Sequence, residues 1–265
     1  MIALGIIGWP LELTLSPKLH EYLFKITSLK GTYDKLPIKT IEHSKLKALL
    51  GEYVGLNVTS PHKEVVYKEL VSLSKASESV TAIGAVNTIS VDNESLFLDN
   101  TDYKGFLLEI SRLNFDPENK NILILGSGGS SKSIQYALKR LNPKGVYVAS
   151  RNPNQEQLSY RDLNSIKDQV NMLINTTPLG MPPYNSESPL REDLKFKNLE
   201  FVLDIGYGKK ESTLLKHHKG VEVVNGLGML IAQGIESFNL WTKSKISFPD
   251  LYQETRKFLE EEIYD

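Results

Sequence analysis

Short apolar runs bounded by turn residues alternate along this chain with stretches in which apolar residues recur every three or four positions. Strands and helices are therefore predicted to alternate. Ile2–Ile7 reads as a strand and Ser16-Pro17 as a helix start leading into Lys18–Ile26, with Ser16 as N-cap. Thr32–Ile38 is predicted extended, Ile41–Leu50 helical, Leu56–Thr59 a strand, and His62–Leu73 a helix begun by Pro61. Ala85–Val91 and Leu96–Leu98 form a hairpin turning at Asp92-Asn93, and Asp102–Leu113 is helical. From Lys120 the rhythm changes. Asn121–Leu125 (NILIL) is apolar nearly throughout, as in a strand buried on both faces of a parallel sheet. A glycine cluster follows, then a helix (Ser131–Leu141) and strands at Gly145–Ala149, Met172–Ile174, Phe201–Asp204 and Val221–Val224. This β-α-β order predicts a doubly wound sheet in the second half. The last segments, Met229–Trp241 and Leu251–Ile263, are helices with no strand after them, expected to return to the first half.

Composition narrows the class. With 265 residues, 40% apolar and 24% charged, the chain has material for one large or two modest domains and their cores. A formal net charge of −1 gives no electrostatic reason to expect nucleic acid or an anionic membrane as partner. The absence of cysteine removes disulfides, thiol catalysis and thiolate metal sites. MIALGIIGWPLEL lacks a basic leader and is read as a first strand; together these features predict a cytoplasmic protein. The five histidines, at 20, 43, 62, 217 and 218, show no metal-ligand spacing, and the adjacent pair is expected to be solvated. The run 260–262 reads as a solvated helix face.

Two stretches carry candidate chemistry on their own. Gly55-Leu56-Asn57-Val58-Thr59-Ser60-Pro61-His62-Lys63 runs from a buried strand into a helix and leaves Lys63 on the first turn. There the positive end of the helix disfavours a cation, which suits a proton donor and acceptor; a surface lysine after a helix start has the same pattern. Gly126-Ser127-Gly128-Gly129-Ser130-Ser131 joins a strand to a helix, where backbone N–H groups can approach a pyrophosphate. Ser131 stands where the dinucleotide fingerprint has its third glycine, and a tight turn without ligand has the same pattern. After the next strand comes Ser150-Arg151-Asn152, with no acid before Glu156, which favours a 2′-phosphate, hence NADP, over the ribose hydroxyl of NAD.

Three further segments hold polar residues that core packing does not demand: Thr14 and Ser16 in alternation, Asn87 on the hairpin, and Asp99-Asn100-Thr101-Asp102 at its end. Each has a structural explanation, as N-cap, turn amide and helix cap respectively. Together GWPLELTLSPKLH, GLNVTSPHK, GAVNTI, DNTD, the glycine loop and NGLGMLIAQ resemble, in order and spacing, the shikimate dehydrogenase family over nearly the whole chain.

That resemblance implies an α/β fold: an N-terminal α/β substrate domain (1–101, completed by helices of 229–265) and a Rossmann-type doubly wound NADP-binding domain (102–228). It implies NADP-dependent reversible reduction of 3-dehydroshikimate to shikimate, a step of the chorismate pathway to aromatic amino acids. The expected partner is that small-molecule substrate, without nucleic acid or membrane, in a monomer or homodimer. Carried over by position, Lys63 and Asp102 form the catalytic pair, and Thr14 and Ser16 hold the substrate carboxylate. Thr59, Asn87, Asp102, Tyr207 and Gln233 match substrate contacts. Gly126, Ser127, Gly128, Gly129, Ser130, Ser150 and Arg151 match NADP contacts, and Ile205 and Gly226 match backbone near the nicotinamide. No metal is implied.

There are departures. The family usually has Ser at the position of Thr14, and the added methyl narrows the pocket. Leu13 replaces a residue that is often polar, Asn225 stands where Asp is frequent, and Asn154 leaves Arg151 without a second basic neighbour. A quinate/shikimate dehydrogenase with relaxed substrate or NAD use is the nearest alternative, against which the Thr14 methyl argues. A catalytically idle sensor of NADP or shikimate is a third, disfavoured by the retention of both Lys63 and Asp102.

Overall fold

A computed structural model describes residues 1–92, 95–113, 115–182 and 184–264. Within it the chain divides into two compact units, Met1–Arg112 with Leu230–Asp265, and Leu113–Met229.

The first unit holds β1 (Ile2–Gly8), α1 (Ser16–Thr27), β2 (Gly31–Pro37), α2 (His43–Glu52), β3 (Gly55–Val58), α3 (Lys63–Leu70), β4 (Lys75–Ala76), α4 (Glu78–Ile83), β5 (Thr88–Asp92), β6 (Ser95–Asp99) and α5 (Thr101–Leu113). Its sheet runs β2-β1-β3-β5-β6-β4, parallel from β2 to β3 and antiparallel across β3, β5 and β6. Period-two alternation sorts the side chains of β3. Leu56 and Val58 join a core with Leu46 and Leu50 of α2 and Val66 and Leu70 of α3. Asn57 faces the opposite side. The hairpin forms as expected, although Asn93 of its predicted turn lies outside the described residues.

The second unit holds β7 (Asn121–Leu125), α6 (Gly129–Leu138), β8 (Gly145–Ser150), β9 (Leu158–Ser159), β10 (Met172–Asn175), β11 (Phe201–Asp204), α7 (Thr213–His217) and β12 (Glu222–Asn225). Every pairing in the sheet β12-β11-β10-β7-β8-β9 is parallel. Strand order therefore reverses between β7 and β10, the kind of crevice in which doubly wound sheets receive ligands. All five residues of β7 are buried, as NILIL predicts. Two 3-10 turns, Asp162–Ser165 and Lys167–Gln169, lie between β9 and β10.

The last helices are α8 (Leu227–Thr242) and α9 (Phe248–Tyr264). Trp241 of α8 donates its indole N–H to Ile89 O at 2.9 Å, and Tyr22 of α1 stacks on Phe258 of α9 with centroids 4.9 Å apart. Helix α5 falls with the first unit through Arg112, so the division lies beyond the boundary expected at 101/102. The cause is local: a Cβ on Gly105 would stand 2.8 Å from the Gln233 backbone nitrogen, a close approach that packs α5 onto α8. Among the described residues no helix is long and apolar enough to cross a membrane.

Candidate active site

The C-terminal ends of β1, β3 and β6 and the start of β5 share one edge of the first sheet, and each is followed or preceded by a predicted site residue. After β3 the chain turns at Ser60-Pro61, with His62 N donating to Thr59 O at 3.0 Å and the His62 ring bonded to Ile38 O at 2.5 Å. Helix α3 then begins at Lys63, so Pro61 belongs to the turn and does not start the helix as predicted. The turn formed by Thr59 and His62 redirects the chain before the helix begins.

Lys63 Nζ donates to Asp102 Oδ2 at 2.7 Å, and both residues are buried. Asn87 Nδ2 donates to Asp102 Oδ1 at 2.9 Å, so the two carboxylate oxygens have different donors. Thr101 N donates to Asn87 Oδ1 at 2.6 Å. A backbone N–H can only donate, which fixes that amide with its nitrogen toward Asp102. Gln233 Oε1 lies 3.5 Å from the same nitrogen and Gln233 Nε2 donates to Leu230 O at 2.8 Å, so α8 also reaches the cluster.

Behind Asn87 lies a polar layer that the sequence reading missed. Thr88, Thr101, Asn57 and Ser237 are all buried and mutually hydrogen-bonded. A polar residue in the buried GLNV strand and the threonine of DNTD were available signals. Ser237, one helical turn past Gln233, shared its face by spacing alone.

Thr14 Oγ1 donates to Ser16 Oγ at 3.2 Å, so the two hydroxyls do point together. Ser16 is the first residue of α1 and not its N-cap; Leu15 holds that position. The Thr14 hydroxyl oxygen accepts from Ser16 N at 3.3 Å, satisfying the first N–H of α1, and the N-cap residue makes no side-chain capping bond. Thr59 is half-buried, and its methyl occupies the space a Cβ on Gly8 would need.

In the second unit, Gly126 follows β7 at φ +102, where a Cβ would stand 2.7 Å from Thr176 Oγ1. Gly128 opens α6 with no side-chain cap and with no atom within 4 Å of its missing Cβ. Uncapped first-turn N–H groups beside a glycine cradle, at the strand-order reversal, suit the pyrophosphate of a dinucleotide. Gly129 and Ser130 continue that first turn. Ser127 Oγ and Ser150 Oγ lie 3.0 Å apart, tying the glycine loop to the end of β8. Arg151 is exposed, and Asn152 N donates to Ser150 Oγ at 3.2 Å. Nearby, burial raises the Tyr160 phenol pKa, with the Arg151 charge pulling the other way.

At the ends of β11 and β12 the structure adds a buried hub, Asp204. Its carboxylate accepts from Ser212 Oγ (2.7 Å), Gly206 N (3.0 Å) and Asn175 Nδ2 (3.1 Å), and burial raises its pKa against those bonds. Ile205 N donates to Asn175 O at 3.0 Å and Gly226 N to Gly206 O at 2.9 Å, which sets the backbone around the half-buried Tyr207. Of the adjacent histidines, both expected to be solvated, only His218 differs from expectation. His217 is exposed and pairs with Glu192, whereas His218 is half-buried, bonded to Leu214 O at 2.8 Å, and its pKa is lowered by burial.

Family models match at both ends of the chain: the shikimate dehydrogenase substrate binding domain over residues 6–89 and the shikimate 5′-dehydrogenase C-terminal domain over residues 226–253. Shikimate dehydrogenase (NADP(+)) of Clostridium botulinum (strain 657 / Type Ba4) is 33% identical, covering 91% of this chain and 96% of that protein. Shikimate dehydrogenase 1 from Peptoclostridium difficile superposes with a TM-score of 0.88 at 31% identity, covering 98% of this chain and 100% of that one. Shikimate 5-dehydrogenase from Thermus thermophilus, solved in complex with NADP(H) and shikimate, gives a TM-score of 0.82 at 27% identity over 97% and 100% of the two chains. With identity at this level over nearly its full length, and with both family models in place, the chain belongs to the shikimate dehydrogenase family.

Proposed function

We propose that this protein interconverts 3-dehydroshikimate and shikimate with NADP(H), with the first unit taking the substrate and the second the cofactor. The observation that carries the reading is the buried Lys63–Asp102 pair, 2.7 Å between Nζ and Oδ2, at a sheet edge that also presents Asn87, Thr14 and Ser16.

Residues 126–130, Ser150 and Arg151 would hold NADP(H), which when bound supplies or accepts the hydride. Lys63 donates a proton to the substrate oxygen during reduction and recovers it in the reverse direction. Asp102 holds the ammonium in one rotamer and accepts from the same substrate hydroxyl, while Asn87 fixes the plane of the carboxylate. Thr14 and Ser16 donate to the substrate carboxylate, and their hydroxyls already lie 3.2 Å apart. Thr59, Gln233 and Tyr207 contribute contacts to the ring hydroxyls. Ile205 and Gly226 shape the backbone beside the nicotinamide, where Gly226 keeps the chain close to Ile205 O.

A cysteine-free chain with a net charge of −1 fits a cytoplasmic monomer or homodimer that handles a small metabolite. Initial rates at the nicotinamide absorbance band, with shikimate or quinate crossed against NADP or NAD, test the proposal. Fast turnover with shikimate and NADP alone is expected. Comparable rates with quinate or NAD move the protein to the relaxed-specificity alternative, and no turnover with any pair overturns the reading.

A further inference from the structure

Ser237 sits on α8, fully buried, in the layer behind Asn87. Its hydroxyl donates to Gln233 O at 3.0 Å, which commits its one proton and leaves the oxygen to accept from its other neighbours. Asn57 Nδ2 donates to it at 3.0 Å. The direction of that bond follows from the Asn87 backbone carbonyl oxygen, which can only accept and takes Asn57 Nδ2 at 3.1 Å, leaving Asn57 Oδ1 to the Tyr33 hydroxyl at 2.7 Å. Thr88 Oγ1 donates to Asn87 Oδ1 at 2.8 Å, which leaves Thr101 as the hydroxyl donor to Ser237, at 2.9 Å. With its proton so placed, Thr101 Oγ1 presents only lone pairs to Asn87 Nδ2, also at 2.9 Å. One amide hydrogen of Asn87 is held by Thr101 and the other by Asp102 Oδ1 at 2.9 Å.

We propose that Ser237 is a positioning residue for Asp102, acting through Thr101 and Asn87. The inference rests on Asp102 serving the reaction proposed above. Removing the Ser237 oxygen leaves Thr101 Oγ1 with only longer acceptors, Thr88 Oγ1 at 3.2 Å and Asn87 Oδ1 at 3.3 Å. That oxygen already receives Thr101 N and Thr88 Oγ1. The Thr101 hydroxyl then turns toward Thr88 and Asn87 Oδ1, its lone pairs swing off Asn87 Nδ2, and the grip of Asn87 on Asp102 loosens. A fully satisfied buried network orients its members; a partly satisfied one does not.

Two readouts on the full chain test this. The first is hydrogen exchange of the Asn87 side-chain amide by NMR, its signals identified by their loss in Asn87→Asp. Exchange is expected to quicken at least about tenfold in Ser237→Ala. Unchanged exchange overturns the proposal whether or not the enzyme turns over shikimate. The second is a double-mutant cycle in kcat. Ser237→Ala should cost about tenfold with Asp102 present and no more than about twofold in an Asp102→Asn background, with KM for shikimate nearly constant. Equal losses in both backgrounds mark a merely structural serine and overturn the proposal. Thr101→Val removes the same bond from its other end, provides the test if Ser237→Ala fails to fold, and should reproduce both effects. A wild type that turns over nothing sinks the proposed reaction while leaving the exchange result to judge the network.

Discussion

Lys63 Nζ and Asp102 Oδ2 are 2.7 Å apart with only 10% and 9% of the two side chains exposed, so the charges face each other largely out of water. Removing one partner of such a pair strands the other. Lys63→Ala should lower kcat by roughly 10²–10⁴, the usual range for a general acid/base, with a smaller change in KM. It should also reduce unfolding stability by about 3 kcal/mol, because Asp102 loses its cation. Steady-state kinetics and urea unfolding measure both. A wild-type kcat would remove Lys63 from the mechanism.

Thr14 and Ser16 are a hydroxyl pair in which Thr14 both donates to Ser16 Oγ and caps the backbone of α1. Thr14→Ala should raise KM for shikimate by about tenfold, the worth of a hydrogen bond to a charged group, and leave kcat nearly constant. Thr14→Ser keeps the hydroxyl and drops the methyl. Its expected mark is a higher quinate-to-shikimate ratio of kcat/KM, since quinate carries an extra hydroxyl beside the carboxylate. An unchanged ratio would show that the methyl plays no part in selection.

Arg151 is exposed at the end of β8, beside the Ser127–Ser150 contact, and no second cation follows it closely, position 154 being Asn. Arg151→Ala should therefore raise KM for NADP by about tenfold or more while KM for NAD moves little. Equal effects on the two cofactors would place Arg151 away from the 2′-phosphate.

What the sequence revealed and what it hid follow from how local each signal is. NILIL was legible because burial on both faces leaves an unbroken apolar run, and the hairpin was legible because alternation and turn residues are both short-range. Lys63, Asp102 and Asn87 could be picked out by pattern, but their mutual bonds depend on how α3, β5 and α5 meet. Ser237 was hidden because only packing decides which turn of α8 lies against Asn57. Asp204 ended a predicted strand as an ordinary acid; its hub role depends on Asn175 and Ser212, which are distant in sequence. The misassigned cap at Ser16 is a one-residue error in where α1 begins: the helix starts at Ser16, with Leu15 in the cap position.

Gly226 illustrates a backbone constraint. A Cβ there would run into the Ile205 carbonyl oxygen, and the Gly226 N–H is held by Gly206 O at 2.9 Å. Gly226→Ala should cost about 2–4 kcal/mol, as overpacking against rigid backbone does, and lower Tm accordingly. Gly220→Ala is the control, since nothing lies within 4 Å of its added Cβ. That variant should stay within about 0.5 kcal/mol of wild type. Similar Tm values for the two variants would contradict the close approach.

His20 should contribute a pH dependence to stability. Its ring is fully buried, stacked on Tyr33 at 4.1 Å between centroids, and neither nitrogen makes a hydrogen bond of normal geometry. Burial lowers its pKa from 6.5 to about 3, and the nearby Asn57 side chain offsets only part of that. Between those two values the unfolded chain binds a proton that the native state refuses. The contribution of His20 is therefore complete above pH 6.5 and is lost as pH falls toward 3. Each pH unit in that window removes up to about 1.4 kcal/mol, so lowering the pH from 7 to 5 should cost roughly 2 kcal/mol through this residue. His20→Leu keeps an apolar side chain in the site and removes the titration. Urea unfolding at both pH values should show wild type losing about 2 kcal/mol more than the variant on acidification. Equal losses would mean that the imidazole reaches a partner or water when protonated, and that its burial does not govern acid stability.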